Sequence, residues 1–113
     1  MTVTIYHNPR CSKSRETLAL LEAKNLSPHI IEYLKTPPTT AQLRHILDML
    51  GIPARDLVRR KEAADAKIDP ALLSEPALIA AMVEHPGIIE RPIVVSGKKA
   101  VVGRPPERVL EIL

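Results

Sequence analysis

The feature that most constrains the fold is the order of patterns in the first 34 residues. Thr2–Tyr6 alternates polar and apolar side chains and runs into His7-Asn8-Pro9, which predicts a strand that ends in a turn. Residues 12–25 predict a helix, and Pro28–Leu34 predicts a second strand. A strand, a helix and a second strand form a βαβ unit with a right-handed crossover. The start of the chain therefore predicts an α/β fold.

The first predicted helix has an apolar face and signals at both ends. Ser12 or Ser14 can cap its start, and Asn25 can close its end. Its apolar side chains are Leu18, Leu20 and Leu21. Cys11 therefore lies between a strand and the entry to a helix.

The middle of the chain predicts a helical insert at about residues 36–88. Thr39 and Gln42 match a T-x-x-Q capping box ahead of a helix that ends at Gly51. A short helix is predicted at Ala54–Arg60, and the polar, Ala-rich Lys61–Pro70 is predicted as a loop. The next helix is capped by Ser74, has Pro76 in its first turn and stops at His85-Pro86-Gly87.

The last part of the chain returns to strands. Pro92–Val95 and Ala100–Val102 flank Ser96-Gly97-Lys98-Lys99, which predicts a β-hairpin. Pro105 and Pro106 then open a final helix that carries Val109, Ile112 and Leu113. The order βαβ, helical insert, ββα predicts one domain over residues 1–113 with a mixed β-sheet flanked by helices.

Composition narrows the function classes. The 113 residues include two Tyr, no Phe, no Trp and one Cys, so the core must be aliphatic and an internal disulfide is excluded. No apolar run reaches the ~18 residues of a membrane span, and the N-terminus has no secretory signal pattern, so we expect a cytoplasmic protein without a membrane role. The net charge of +3 comes without an aromatic stacking platform, which favours a small anionic substrate over nucleic acid.

Cys11 is the first candidate for chemistry. Backbone N–H groups at a helix N-terminus and the helix dipole stabilise a thiolate, and Arg10, Lys13 and Arg15 add positive charge. The competing interpretation is a small buried hydrophobic residue. The motif is C-S-K-S, so any redox cycle needs a thiol from another molecule. With one Cys and scattered histidines, we expect no metal site and no bound cofactor.

Several arginines and one histidine are candidate partners of Cys11. Arg91 and Arg104 each precede a proline, and Arg59 and Arg60 follow one another at the end of the predicted short helix. Arginine suits an oxyanion because its planar fork donates paired hydrogen bonds and stays charged. His7 can pair with the thiolate or complete the strand turn. Spacing alone leaves these roles open, since each arginine can also be a surface residue.

Five motifs resemble the glutaredoxin-linked bacterial arsenate reductases. They are Y-H-N-P-R-C-S-K-S-R at 6–15, L-K-T-P-P at 34–38, L-G-I-P-A-R at 50–55, E-R-P-I-V-V at 90–95 and G-R-P-P-E at 103–107. The resemblance covers essentially the whole chain. It implies a thioredoxin-like sheet with a helical insertion in the middle.

The resemblance also implies roles for individual residues. Cys11 matches the nucleophile that forms a covalent thioarsenate, and Arg59, or its neighbour Arg60, with Arg91 and Arg104 matches the arginines that bind the oxyanion. His7 matches the histidine that tunes the cysteine, and Arg91-Pro92 matches a cis peptide bond beside the site. Arsenate is then reduced to arsenite, with glutathione as co-substrate, glutaredoxin as partner and a monomeric protein.

Two other functions stay open at this point. The first is a glutathione-dependent thiol reductase of the same family that does not act on arsenate; the H-N-P before Cys11 favours arsenate over it. The second is a regulator similar to the Spx proteins, which bind RNA polymerase. Their redox switch uses C-x-x-C, which this chain lacks.

Overall fold

The computed structural model describes residues 2–113 and divides the chain into two compact units. The first unit contains the residues up to Thr36 together with Arg91–Leu113, and the second contains Pro37–Glu90. All four strands belong to the first unit, and the second unit is helical. The single domain over residues 1–113, with an insert at about 36–88, stays a prediction.

A mixed four-stranded sheet forms the centre of the first unit. Its strands are β1 (Val3–His7), β2 (His29–Glu32), β3 (Ile93–Ser96) and β4 (Lys99–Val102), in the order β2-β1-β3-β4. The β1–β2 pair is parallel, and the β1–β3 and β3–β4 pairs are antiparallel. This is the thioredoxin-like α/β sheet that the sequence predicted.

The core of the first unit is aliphatic, as the lack of Phe and Trp requires. Alternate residues of β1 are buried, so one face of the strand points into the core. Helix α1 (Ser12–Ala23) and a C-terminal 3₁₀ helix (Pro106–Glu111) contribute to the same cluster. The buried members are Val3, Ile5, Leu21, Val94, Val101 and Val109. The last helix is thus 3₁₀ and short, where a helix carrying Leu113 was predicted; Leu113 is exposed.

The ends of α1 differ in part from the prediction. Cys11 itself is the N-cap, with the extended backbone (φ −95°, ψ 124°) typical of that position, so neither Ser12 nor Ser14 caps the helix. Asn25 has a positive φ of 60°, and its N–H donates to the carbonyl of Glu22. The predicted helix end at Asn25 is therefore confirmed.

The hairpin is tighter than predicted. Only Gly97 and Lys98 lie between β3 and β4, and Gly97 has φ 61°. Two-residue hairpin loops need a positive φ at the first position, which glycine adopts without strain.

The second unit contains α2 (Thr40–Leu50), α3 (Arg60–Asp65) and α4 (Glu75–Glu84). The predicted capping box of Thr39 and Gln42 is present, and Gly51 and Ser74 take their predicted places at the end of α2 and the start of α4.

Helix α3 corrects one prediction. It lies where a loop was predicted, and the helix predicted at Ala54–Arg60 is only a 3₁₀ turn at Ala54–Asp56. A helix of six residues is too short to show periodicity, and only Ala63 is buried in it. Its Arg, Lys, Glu and Ala residues are good helix formers, which explains the outcome. Among residues 2–113, no helix combines the length and the apolar character needed to cross a membrane.

Candidate active site around Cys11

Cys11 lies at the junction of β1 and α1, where the sequence placed it. Its side chain is only 8% exposed, and its sulfur makes no capping hydrogen bond to the helix. Its carbonyl accepts the first helical hydrogen bond, from the N–H of Arg15 at 3.0 Å. The thiol therefore sits at the positive end of a twelve-residue helix, where a negative charge is stabilised.

Several hydrogen bonds hold the loop between His7 and Cys11. The N–H of Cys11 donates to the carbonyl of Asn8 at 3.0 Å, and the N–H of Arg10 donates to Asn8 Oδ1 at 3.0 Å. Arg15 Nη1 donates to the carbonyl of Pro9, also at 3.0 Å. The Asn side chain forms an Asx-type turn, which asparagine favours. These bonds hold the backbone that presents the thiol.

Arg104 contacts the thiol directly. Its Nη2 lies 3.5 Å from Cys11 Sγ, within the range of a hydrogen bond to sulfur. Its Nε donates to the carbonyl of Arg91 at 2.7 Å. One guanidinium group thus bonds a backbone oxygen and the thiol through two different nitrogens, Nε and Nη2, held at a fixed spacing that the single nitrogen of a lysine does not reproduce.

Arg91 contributes its backbone to this arrangement. Its carbonyl holds Arg104, and two nitrogens of its own guanidinium, Nε and Nη1, are buried. The Arg91-Pro92 peptide bond is cis, as the family resemblance implied, and Arg104-Pro105 is also cis, which was not predicted. Two arginines on separate strand ends are therefore linked beside Cys11 through one hydrogen bond.

His7 bonds to Ser14 and not to the thiol. His7 Nδ1 lies 2.7 Å from Ser14 Oγ, and the same oxygen accepts the N–H of Asn8 at 3.0 Å. Both side chains are buried, at 6% and 0% exposed. His7 therefore ties the end of β1 to the buried face of α1. Of the two roles that spacing left open for His7, pairing with the thiolate has no hydrogen bond within residues 2–113, and the tuning of Cys11 that the resemblance implies stays a prediction.

Burial lowers the pKa of His7 below its usual 6.5, and this effect outweighs the opposing charge of Glu32; the charge of Arg15 lowers it further. Nδ1 of a neutral imidazole can accept a hydrogen bond from the Ser14 hydroxyl, whose oxygen accepts the N–H of Asn8. Protonation of the ring removes the acceptor at Nδ1 and places a positive charge in a buried position.

Arg59 belongs to the second unit. It is the N-cap of α3, and its Nη2 lies 2.7 Å from Glu62 Oε1, with Nε 4.0 Å from Glu90 Oε1. Its neighbour Arg60 is exposed. The structure thus brings together Cys11, Arg104 and Arg91 in the first unit, and it places Arg59 in an ion pair of its own.

No group of three or more His, Cys, Asp or Glu side chains in residues 2–113 is arranged to hold a metal ion.

Comparison with known proteins decides the family. The model of the ArsC family matches residues 6–112, nearly the whole chain. The chain belongs to the ArsC family. It is 54% identical to the Escherichia coli protein "Uncharacterized protein YfgD", over 98% of this chain and 96% of that one. It is 50% identical to the arsenate reductase of Haemophilus influenzae, over the full length of both.

A solved structure agrees with this assignment. The arsenate reductase from Vibrio cholerae superposes with a TM-score of 0.94 and 51% identity, over 100% of this chain and 98% of that one. The thioredoxin-like fold of this ArsC chain is thereby confirmed on an independent structure.

Two contacts of this ArsC chain were not predicted from the sequence. Ser14 was predicted as a possible helix cap, but it bonds His7; its position on the first turn of α1, three residues after Cys11, is the signal that places it near the loop. Glu62 follows Arg59 by three residues, a spacing at which helical side chains meet, but the segment was predicted as a loop. Both partners depend on which helix forms and which face is buried.

Proposed function

We propose that this protein reduces arsenate to arsenite, with Cys11 as the nucleophile. The contact between Arg104 Nη2 and Cys11 Sγ carries the proposal, because a guanidinium at 3.5 Å stabilises the thiolate, the reactive form of cysteine. Two relatives named arsenate reductase, which are 50% and 51% identical to this chain, are the reason to propose arsenate as the substrate.

The first step forms a covalent bond between sulfur and arsenic. The Cys11 thiolate attacks As(V), an As–S bond forms, and one arsenate oxygen leaves as water after protonation. Arginines at the site oppose the repulsion between two anions and balance the charge on the five-coordinate transition state. Arg104 and Arg91 are proposed for this role. Arg59 is proposed as well, because the family resemblance implies it.

The electrons must come from other molecules, since the chain has a single cysteine. A glutathione thiolate displaces a second oxygen and forms another As–S bond. A glutaredoxin thiolate then attacks the glutathione sulfur, so a mixed disulfide forms and the electron pair of that As–S bond stays on arsenic as As(III). Water releases arsenite and regenerates the Cys11 thiol. Because this chemistry needs reduced thiols, we propose that the protein is a monomeric enzyme of the reducing cytoplasm.

The test is arsenite release from arsenate in the presence of glutathione and glutaredoxin. Wild-type protein should turn over, and Cys11→Ser should lose activity because the hydroxyl is a far weaker nucleophile at neutral pH. The exposed Ser12→Ala serves as control on the neighbouring residue and should keep wild-type activity. Turnover by Cys11→Ser would remove the cysteine from the mechanism.

A second measurement addresses the reductant and the substrate. Omission of glutaredoxin or of glutathione should each stop turnover. A wild-type protein that exchanges thiols with glutathione disulfide but releases no arsenite would contradict the proposal. That result would favour the glutathione-dependent thiol reductase instead.

A further inference from the structure

Gly103 lies at a crowded crossing between the end of β4 and helix α1. A Cβ atom added there would lie 2.8 Å from Thr17 Oγ1, 3.0 Å from Pro92 Cγ and 3.2 Å from Thr17 Cγ2. Separations below 3.0 Å from a Cβ essentially do not occur, so any side chain at this position forces a movement. At Gly87, by contrast, an added Cβ meets nothing within 4 Å.

The atoms around Gly103 are held in place. Thr17 is fully buried on α1, and its Oγ1 donates to the carbonyl of Lys13 at 2.8 Å, so a rotation of its side chain breaks that bond. Pro92 is fully buried as well, and its carbonyl accepts the N–H of Gly103 at 2.9 Å. In a close-packed interior, buried neighbours held in this way resist displacement, so we expect the backbone of Gly103 to shift.

Arg104 follows directly in the chain and depends on that backbone. Its N–H donates to the carbonyl of Val102 at 2.9 Å, which makes a three-residue turn centred on Gly103. Its side chain then donates to Arg91 and reaches Cys11 Sγ at 3.5 Å. A shift at Gly103 is therefore passed to the guanidinium that contacts the thiol.

We propose that Gly103 is a positioning residue. Because glycine has no Cβ that would collide with Thr17, Arg104 can lie within hydrogen-bond distance of Cys11. This contact keeps the thiol reactive. Gly103 itself touches neither the sulfur nor a substrate. The inference concerns the reactivity of Cys11, and it rests on the proposed function only in naming Cys11 as the reacting group.

The test measures the rate at which iodoacetamide alkylates Cys11 at pH 7, because only the thiolate reacts. Gly103→Ala should lower the rate constant about tenfold, the size expected when a hydrogen bond to a charged group is lost. Gly87→Ala, the matched glycine with open space, should react as wild type does. Alkylation in denaturant should be equal for all variants, which shows that the cysteine is intact.

A double-mutant comparison separates positioning from a general loss of structure. If Gly103 acts through Arg104, Gly103→Ala added to Arg104→Ala should not slow alkylation beyond Arg104→Ala alone. Removal of the clash should restore the rate, so Thr17→Ala combined with Gly103→Ala should react faster than Gly103→Ala. Thr17→Ser keeps Oγ1, the nearest atom, and should restore less.

The proposal is overturned if folded Gly103→Ala reacts at the wild-type rate, or if its effect persists in full without Arg104. Should Gly103→Ala not fold, Thr17→Ala/Gly103→Ala is measured instead: with the Thr17 atoms removed it should react close to the Thr17→Ala rate, and a rate as low as that of Arg104→Ala contradicts the proposal. Because alkylation needs no arsenate, a protein that fails to reduce arsenate still gives a clear answer on Gly103.

Discussion

Arg104 Nη2 lies 3.5 Å from Cys11 Sγ, although 93 positions separate the two residues in the chain. The contact depends on a second one, because Arg104 Nε is held at 2.7 Å by the carbonyl of Arg91. The segment just after β4, the segment just before β3 and the N-terminus of α1 therefore meet at one guanidinium group. This meeting point, and not the cysteine alone, distinguishes the site from a buried structural thiol.

Replacement of Arg104 should lower the reactivity of Cys11. In Arg104→Ala the thiolate loses its cationic partner, and we expect about tenfold slower alkylation at pH 7. Arg104→Lys keeps the charge but lacks the two separate nitrogens that bond Arg91 and Cys11, so an intermediate rate is expected. Arg108→Ala removes an exposed arginine that forms an ion pair with Glu111, and it is the control. Equal rates for wild type and Arg104→Ala would remove Arg104 from the site.

Ser14→Ala should destabilise the protein. The change removes the partner of His7 Nδ1 and of the Asn8 N–H in a buried place, which costs about 1–3 kcal/mol for unsatisfied polar groups. Urea unfolding measures the loss as a lower midpoint with an unchanged slope. Ser12→Ala, exposed on the same helix, should change the free energy of unfolding by less than about 0.5 kcal/mol. Equal stability of the two variants would show that Ser14 does not secure the loop.

His7 predicts a dependence of stability on pH. Its pKa is lowered in the folded protein, chiefly by burial, so the unfolded chain binds more protons in the window below 6.5. The free energy of unfolding should therefore fall as the pH drops from 7.5 through 6.5 towards 5.5. The His7→Gln variant should lose part of this slope, and His85→Gln, which replaces an exposed histidine, should keep it. A slope that is the same in wild type and His7→Gln would contradict the assignment.

The ion pair between Arg59 and Glu62 predicts that Glu62 competes with a bound anion for the Arg59 guanidinium. Because the Glu62 carboxylate pairs with the guanidinium at 2.7 Å, an anion that binds Arg59 has to replace it. Glu62→Gln should therefore lower the KM for arsenate, while Arg59→Ala should raise it. Stability should change by less than about 1 kcal/mol, since the pair is partly exposed. Asp65→Asn on the same helix is the charge-matched control, and an unchanged KM in both Glu62→Gln and Arg59→Ala would exclude Arg59 from anion binding.

Helix ends show how much of the fold local sequence can predict. The capping box of Thr39 and Gln42, the left-handed Gly51 and the cap at Ser74 were all predicted, because each depends on residues within one turn of the chain. Helix α3 was not predicted, because its six residues are too few to show a period and Ala63 alone among them is buried.

The same distinction between local patterns and long-range contacts applies to the candidate active site. The sequence predicts that Cys11 lies between a strand and a helix, it contains no second thiol, and it places arginines before Pro92 and Pro105. These are properties of neighbouring residues and of composition. The contacts of Arg104 with the sulfur, of His7 with Ser14 and of Gly103 with Thr17 are visible in the folded protein alone. Such contacts join segments far apart in the chain, and their distances depend on how strands and helices pack, which no local pattern records.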